Sequence, residues 1–546
     1  MASKNIRNVI LHLLCFLAIT ALIYLPIKHQ IDITPKNTFY PMVQGLFPDY
    51  YQYLSIINQG RTRMSYIDQY TLEKTSPTDI HIFYLTLGKF AALTGISDNI
   101  IVYHLSILFS LILFYLFSYR LISILVDGQY KWLAVFTVFF AGPFAGWYIK
   151  FAGQTIYTGT SWWNHTTVQE RLYMTPHHFF ASAMLLAAVY AFIRFVREKK
   201  LKYVLFCAFF QLIGLLVFSP PGFIFLSAVF LFTTLYLTIL MRQKISGKKA
   251  KSGFGHIDDI RLLIKGTVVI LFVSIAVLTL SYSLVIGTGL SQWEYSIYRA
   301  EIFPGTFWVY ITSLGVLPFF AVFSLYPIRQ KLGREQILIL FLSILPLIFY
   351  IASVFGFFTI NKMRFVYSAP YVFWGILAVW GIRWIVENVK NKPMKKAVFT
   401  IILIIILIST ISDLYGYWVP QFSKLDTPNN IYIPDQNISA MQYLNMNAKA
   451  YSAVLAPDYI GNYLPAFTSD RVYVGHEVAT MDFFPKQKKA YHFFNQDFKA
   501  EEAAEFIKNN GIEYVFSDRG DIFAEFSSFL KPVFQKGNVV LYKFYE

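Results

Sequence analysis

Apolar runs of membrane-crossing length recur almost from end to end of this chain, and they restrict it to folds whose backbone hydrogen bonds are satisfied within lipid. Spans are expected near residues 9–27, 99–119, 131–149, 176–196, 202–218, 221–241, 266–286, 307–326, 336–357, 366–386 and 397–416, eleven in all. With 56% of residues hydrophobic and 14% charged, a soluble globular class is excluded and a polytopic α-helical membrane protein is implied. The two cysteines, Cys15 and Cys207, both fall inside expected spans, so neither a disulfide framework nor a cysteine-based zinc site is supported.

Charge distribution sets the expected orientation. Lys4 and Arg7 precede the first span, and no small-residue cleavage site follows it, so it reads as an uncleaved first helix. The densest basic runs, RFVREKKLK (194–202) and RQKISGKKAK (242–251), fall on the same side as the N-terminus. By the positive-inside rule that side is cytoplasmic, which puts the C-terminal region outside the cell membrane. The net charge of +16 is then mostly anchoring charge, and nucleic acid is not an expected partner. The pair of prolines in SPP (219–221) separates the fifth span from the sixth.

Two domains follow from the composition. Residues 1–416 form the transmembrane domain, with a long first outer loop at 28–80 that reads as amphipathic helices, DYYQYLSIINQ and DIHIFYLTLGKFAALTG. Residues 417–546 turn mixed polar and apolar, with strand-like YSAVLAP, RVYVGH, EYVFSD and NVVLYKF and a helical AEEAAEFIKNNG, and imply a small extracytoplasmic α/β domain.

Outer-face polar residues carry the expected chemistry. Asp49 stands in PDYY just after the first span, among Tyr50, Tyr51 and Tyr53, and an ionisable group near lipid is costly unless paired or used. A transferase on that face has no pool of nucleotide-activated sugar and needs a donor that comes with the membrane, such as a sugar on a polyprenyl phosphate. Phosphate leaves as an anion, so the general acid of a glycosidase pair is dispensable. What remains is one carboxylate to take a proton or hold a metal, a task for Asp49, and cations to grip phosphate, a task for Lys362 and Arg364. Glu170, Arg171, His178 and Tyr50 are candidates for the acceptor side or the surroundings of that centre. Asp49, Glu170 and His177 together have the donor types of a divalent metal site, for Mg or Mn. Structural roles compete: Asp49 as a helix N-cap, Lys362 and Arg364 as snorkelling anchors, the histidines as interfacial residues, and His476–Glu477 as a plain loop between strands.

This arrangement resembles the GT-C superfamily of polytopic glycosyltransferases: an acid soon after the first helix, juxtamembrane amphipathic helices, many spans and an outward C-terminal domain. It looks closest to bacterial members related to protein mannosyltransferases and lipid A aminoarabinose transferases. The resemblance implies a catalytic or metal-binding role for Asp49, and lipid-phosphate binding by the basic-aromatic pair Arg364–Phe365 in NKMRF. Many members carry two adjacent acids in the first loop, whereas here Tyr50 follows Asp49. The expected partners are membrane lipid, a polyprenyl-phosphate sugar, and a glycan, lipid or protein acceptor. Two alternatives stay open: a lipid-linked glycan polymerase or ligase, and a transporter or flippase without transferase chemistry.

Overall fold

The structure is a computed structural model that describes residues 2–43, 47–143, 148–151, 154–157, 175–245, 257–287, 307–330, 333–355, 357, 362–365, 368–422, 431–520 and 524–545. The first apolar run forms α1 (Ala2–Asp32). The first outer loop supplies strand β1 (Thr38–Phe39) and two helices, α2 (Phe47–Gly60) and α3 (Ile82–Thr94), the latter ended by Gly95 at φ 74°. Then come α4 (Asn99–Leu125), α5 (Lys131–Phe139) and an antiparallel hairpin of β2 (Tyr148–Phe151) with β3 (Gln154–Tyr157). Four helices follow: α6 (Pro176–Glu198), α7 (Leu201–Val217), α8 (Ser219–Ile245) and α9 (Ile257–Gly287). The next run is broken into α10 (Phe307–Ser313), α11 (Leu317–Val322) and α12 (Leu325–Gln330). Helices α13 (Arg334–Val354), α14 (Ser368–Asn388) and α15 (Lys392–Asp413) complete the apolar part.

Among the described residues seven helices are long and apolar enough to cross a membrane: α1, α4, α6, α8, α9, α13 and α15. The chain is an integral membrane protein. Eleven unbroken spans are not what forms, however. The run expected at 131–149 stops as a helix at Phe139, just before Gly142 and Pro143, and the run at 307–326 breaks at Gly315, whose φ of 60° no helix accommodates. These two breaks meet. A β-carbon on Gly315 would lie 2.2 Å from the carbonyl oxygen of Gly142, and one on Gly142 would lie 2.3 Å from the Asp413 carboxyl carbon. Ser409 of α15 donates to the Gly142 carbonyl and Tyr371 of α14 to that of Ala141, so freed backbone groups find side-chain partners inside the membrane part. The SPP prolines sit in the first turn of α8, where a missing N–H costs nothing.

Contacts divide the chain into two compact units. One is built chiefly from residues 1–23, 107–282 and 299–420, the other chiefly from 24–106 and 421–546. The second unit therefore joins the first outer loop to the C-terminal region, which contains β4 (Ile433–Pro434), α16 (Asp435–Asn447), β5 (Ala453–Leu455), α17 (Asp458–Phe467), β6 (Arg471–Val472), α18 (Phe483–Phe494), α19 (Ala500–Asn509), β7 (Tyr514–Ser517), β8 (Leu530–Lys536) and β9 (Val539–Phe544). Its sheet runs β6-β5-β7-β9-β8, with β6, β5 and β7 parallel and β9 and β8 antiparallel. Pro532 confines β8 to the edge, next to a register shift. Leu455, Val474, Phe493, Ile507, Val515 and Tyr542 are buried in one apolar cluster around this sheet.

Backbone and side-chain bonds tie the outer loop to that sheet. Val472 N–H donates to the Gln69 carbonyl (2.8 Å), Gln69 Nε2 to the Asp470 carbonyl (3.0 Å) and Arg471 to the Leu72 carbonyl (3.1 Å), so residues 69–72 cover the otherwise open side of β6. Strand β1 pairs with β4. Lys486, nearly buried, reaches Glu73 at 2.5 Å and lies 5.4 Å from the Tyr473 ring centre. Burial by itself raises the Glu73 pKa, but hydrogen bonds from Lys486 and Thr71 and the lysine charge outweigh it, and the carboxyl is held below its ordinary value.

Candidate active site

Asp49 lies inside the first turn of α2, two residues after Phe47 begins the helix, so it is not the N-cap that the sequence allows as its structural role. Its carboxylate still complements the positive end of the helix dipole. Tyr50 and Tyr51 turn inward from the same turn: Tyr50 is buried, its hydroxyl donating to the Pro41 carbonyl at 2.6 Å and its ring edge-on to those of Tyr51 and Tyr103. Tyr50 thus anchors α2. Helix α2 is pressed against α3 through glycines, since a β-carbon on Gly60 would lie 2.5 Å from the Leu85 carbonyl oxygen and one on Gly88 2.3 Å from that of Ile57.

The partner of Asp49 comes from the far end of the chain. His476, in the loop after β6, has Nε2 3.1 Å from Asp49 Oδ1. Its Nδ1 accepts the backbone N–H groups of Val478 (3.0 Å) and Ala479 (3.2 Å), so the ring proton must sit on Nε2, which therefore donates to the carboxylate. The imidazole is buried, with Tyr70 edge-on at 5.6 Å, while the Asp49 side chain keeps 37% of its surface. Thr480 closes the loop, accepting from Gly475 N–H (3.1 Å) and donating to the Tyr70 carbonyl (2.7 Å). Gly475 and Gly461 let this loop lie on α17: a β-carbon on Gly461 would meet the Val474 carbonyl oxygen at 2.0 Å.

These contacts assign roles. Both ring nitrogens of His476 are engaged, one by Asp49 and one by two backbone amides, so the ring fixes the direction of the Asp49 carboxylate. The His476 contact is made through Oδ1 of Asp49, and the carboxylate stays part-exposed.

A second group forms in the other unit, at the start of α6 and α8. Arg364, on the short 3-10 turn Lys362–Phe365, has its guanidinium 5.7 Å from the Phe218 ring centre, and Phe365 packs on Phe349. The His178 ring lies 3.9 Å and the His177 ring 6.0 Å from that same Phe218 ring, which sits at the break between α7 and α8. Arg364, His177 and His178 are therefore brought together around one phenylalanine. Two long helices, α6 and α8, begin beside it, each with proline in its first turn, and helix N-termini favour anions.

Glu170 and Arg171 lie outside the described residues, and with Glu170 so does the expected Asp49–Glu170–His177 metal set. No group of three His, Cys, Asp or Glu side chains positioned to hold a metal occurs among the described residues. In the sequence His476 reads as a residue of a loop between strands, and the glycine–histidine pair after the strand-like RVYV is the signal that points to it.

Neither a protein-family model nor a curated protein matches the chain. Solved structures do match over nearly its whole length. The archaeal oligosaccharyltransferase AglB from Archaeoglobus fulgidus, in complex with an inhibitory peptide and a dolichol-phosphate, aligns at TM-score 0.53 and 12% identity, over 92% of this chain and 69% of that one. ArnT from Cupriavidus metallidurans in the apo state aligns at TM-score 0.51 and 10% identity, over 99% and 98%. The chain has the GT-C fold. That fold accounts for the apolar helices and the C-terminal sheet region together. A further structure of the Archaeoglobus fulgidus oligosaccharyltransferase, in complex with Zn and sulfate, aligns at TM-score 0.50 and 13% identity, over 91% of this chain and 68% of that one.

Proposed function

We propose that this protein is a glycosyltransferase that moves a sugar from a polyprenyl-phosphate donor to an acceptor at the extracytoplasmic face of the membrane, with Asp49 as general base. The N-terminus is then cytoplasmic and the C-terminal sheet domain outside. One observation carries the reading: Asp49 is held through Oδ1 by the His476 ring, whose other nitrogen is met by two backbone N–H groups, with its side chain part-exposed. An orienting contact of this kind suits an acid that acts on something else better than one that only caps a helix.

In the proposed step the acceptor atom attacks the anomeric carbon, its proton passes to Asp49, and the bond from that carbon to the phosphate oxygen breaks. The electron pair leaves with the lipid phosphate, which Arg364 and Lys362 hold through charge-assisted bonds. The helix starts beside Phe218 support this placement of the phosphate. The dolichol-phosphate bound to AglB, a protein of the same fold, supports a lipid-phosphate donor.

The test is transfer from defined polyprenyl-phosphate sugars in nanodiscs, with glycan, lipid and peptide acceptors. Asp49→Asn should lower turnover about 1000-fold while leaving the protein folded. Full turnover by that variant overturns the assignment. Activity unchanged by EDTA supports the base role; activity lost to EDTA and restored by Mg or Mn makes Asp49 a metal ligand instead.

A further inference from the structure

The C-terminal sheet carries a cleft of its own. Strands β6, β5 and β7 are parallel neighbours in that order, so the chain leaving β5 and the chain leaving β7 diverge at the middle of the sheet. In open α/β sheets this divergence leaves a crevice at the carboxyl ends of the strands, and ligands bind there. Here the crevice is present: a cleft of about 320 Å³ is lined by Asp458 and Tyr459, directly after β5, by Arg519, directly after β7, and by Phe484, Gln487 and Tyr491 of α18. Tyr459 bridges the divergence by donating its hydroxyl to Asp518. The loop of His476 leaves the same edge of the same sheet, after β6.

Its chemistry narrows the ligand. Tyr491 and Phe484 keep 61% and 58% of their surface, unusual for aromatic rings in a folded domain, and give flat apolar faces to the rim. Between them stand polar groups of both kinds. Asp458 accepts from Gln487 Nε2 at 2.7 Å, and Arg519 donates to Asn495 at 3.0 Å. The lining cations Lys488 and Arg519 are offset by Asp458 in the lining and by Asp518, which the lining Tyr459 hydroxyl holds, and Asp458 already occupies the first turn of α17, so a phosphate or nucleotide is disfavoured. Planar donors and acceptors beside exposed rings, without net charge, fit the alternating hydroxyls and C–H faces of an uncharged sugar.

We infer that this cleft binds a neutral oligosaccharide. Its use as an acceptor subsite rests on the transferase reading above, whereas saccharide binding itself does not. The experiment is saturation-transfer NMR on the full-length protein in nanodiscs with maltotriose, mannotriose and chitotriose, alongside inorganic phosphate and an uncharged tetrapeptide. At least one trisaccharide should show saturation of its ring C–H protons, and its affinity should fall about tenfold in Tyr491→Ala and in Arg519→Ala. Both side chains are exposed at the rim, and unchanged melting temperatures check that the variants fold. Asp49→Asn should bind the trisaccharide as wild type does, so loss of transfer and loss of binding separate. Binding of none of the three, binding unaffected by both variants, or binding of phosphate or tetrapeptide alone overturns the inference.

Discussion

Asp49 takes a hydrogen bond from an imidazole whose other nitrogen is met by two amides, while Arg364 and His178 meet over the ring of Phe218 at the ends of long apolar helices. The first arrangement is directional: a donor, a tautomer and an acceptor must each be correct. The second is a set of ring faces, which tolerate tilts and shifts of tenths of an ångström. A proton acceptor needs the first kind of support, and a cation gripping a phosphate tolerates the second.

The contrast breaks first at His476. His476→Ala should cut kcat about 100-fold with little change in KM for the donor, and His476→Gln, which restores an N–H donor, should recover part of it. Equal loss in both variants would make the residue merely structural. Arg364→Ala should act on the other parameter, raising donor KM about tenfold with a smaller fall in kcat, and Arg364→Lys should recover some of that loss. An unchanged KM would remove Arg364 from the phosphate.

The next test concerns how the second unit holds Asp49 in place. Lys486→Ala takes the cation from Glu73, leaving it the Thr71 hydroxyl, and should lower stability by about 2 kcal/mol, read as a fall in melting temperature in detergent. Because the Glu73 pKa is depressed in the fold, its contribution is present above the unfolded carboxyl pKa and is lost as pH falls through the lower folded value. The gap between wild type and Lys486→Ala should therefore narrow in acid.

Asp470 gives the smallest effect, of opposite sign. Burial raises its pKa to about 7, with a hydrogen bond to Thr468 opposing and the charge of Glu513 adding. The fold thus keeps a proton that the unfolded chain releases near 3.8, and the stability this provides is complete below that pH and lost as pH rises through about 7. Asp470→Asn should raise the melting temperature at pH 8, by a gain of about 1–2 kcal/mol, and should change nothing at pH 4.

Long apolar runs made most membrane helices readable in the sequence, because length and hydropathy alone decide them. Two apolar runs break as helices because Gly142–Pro143 and Gly315 stop a helix without changing its apolar character. Of the sheet, β5, β6, β7 and β9 were visible as short apolar runs, while β8 was hidden by Pro532, the residue that also keeps it at the edge. Asp49 stood out as a lone acid among tyrosines. His476 did not, because its meaning depends on a residue 427 positions away and on two amides that fix its proton. No local pattern encodes either.

Residues 69–72 take their hydrogen bonds from β6, and Asp49 takes its own from the loop beyond that strand. During synthesis the acid is therefore made hundreds of residues before its partner. A nascent or truncated chain that has threaded every membrane helix but lacks the last hundred residues would hold Asp49 unoriented and the loop's carbonyls unmet. The contact that orients Asp49 can form only once the chain has been made through Ala479.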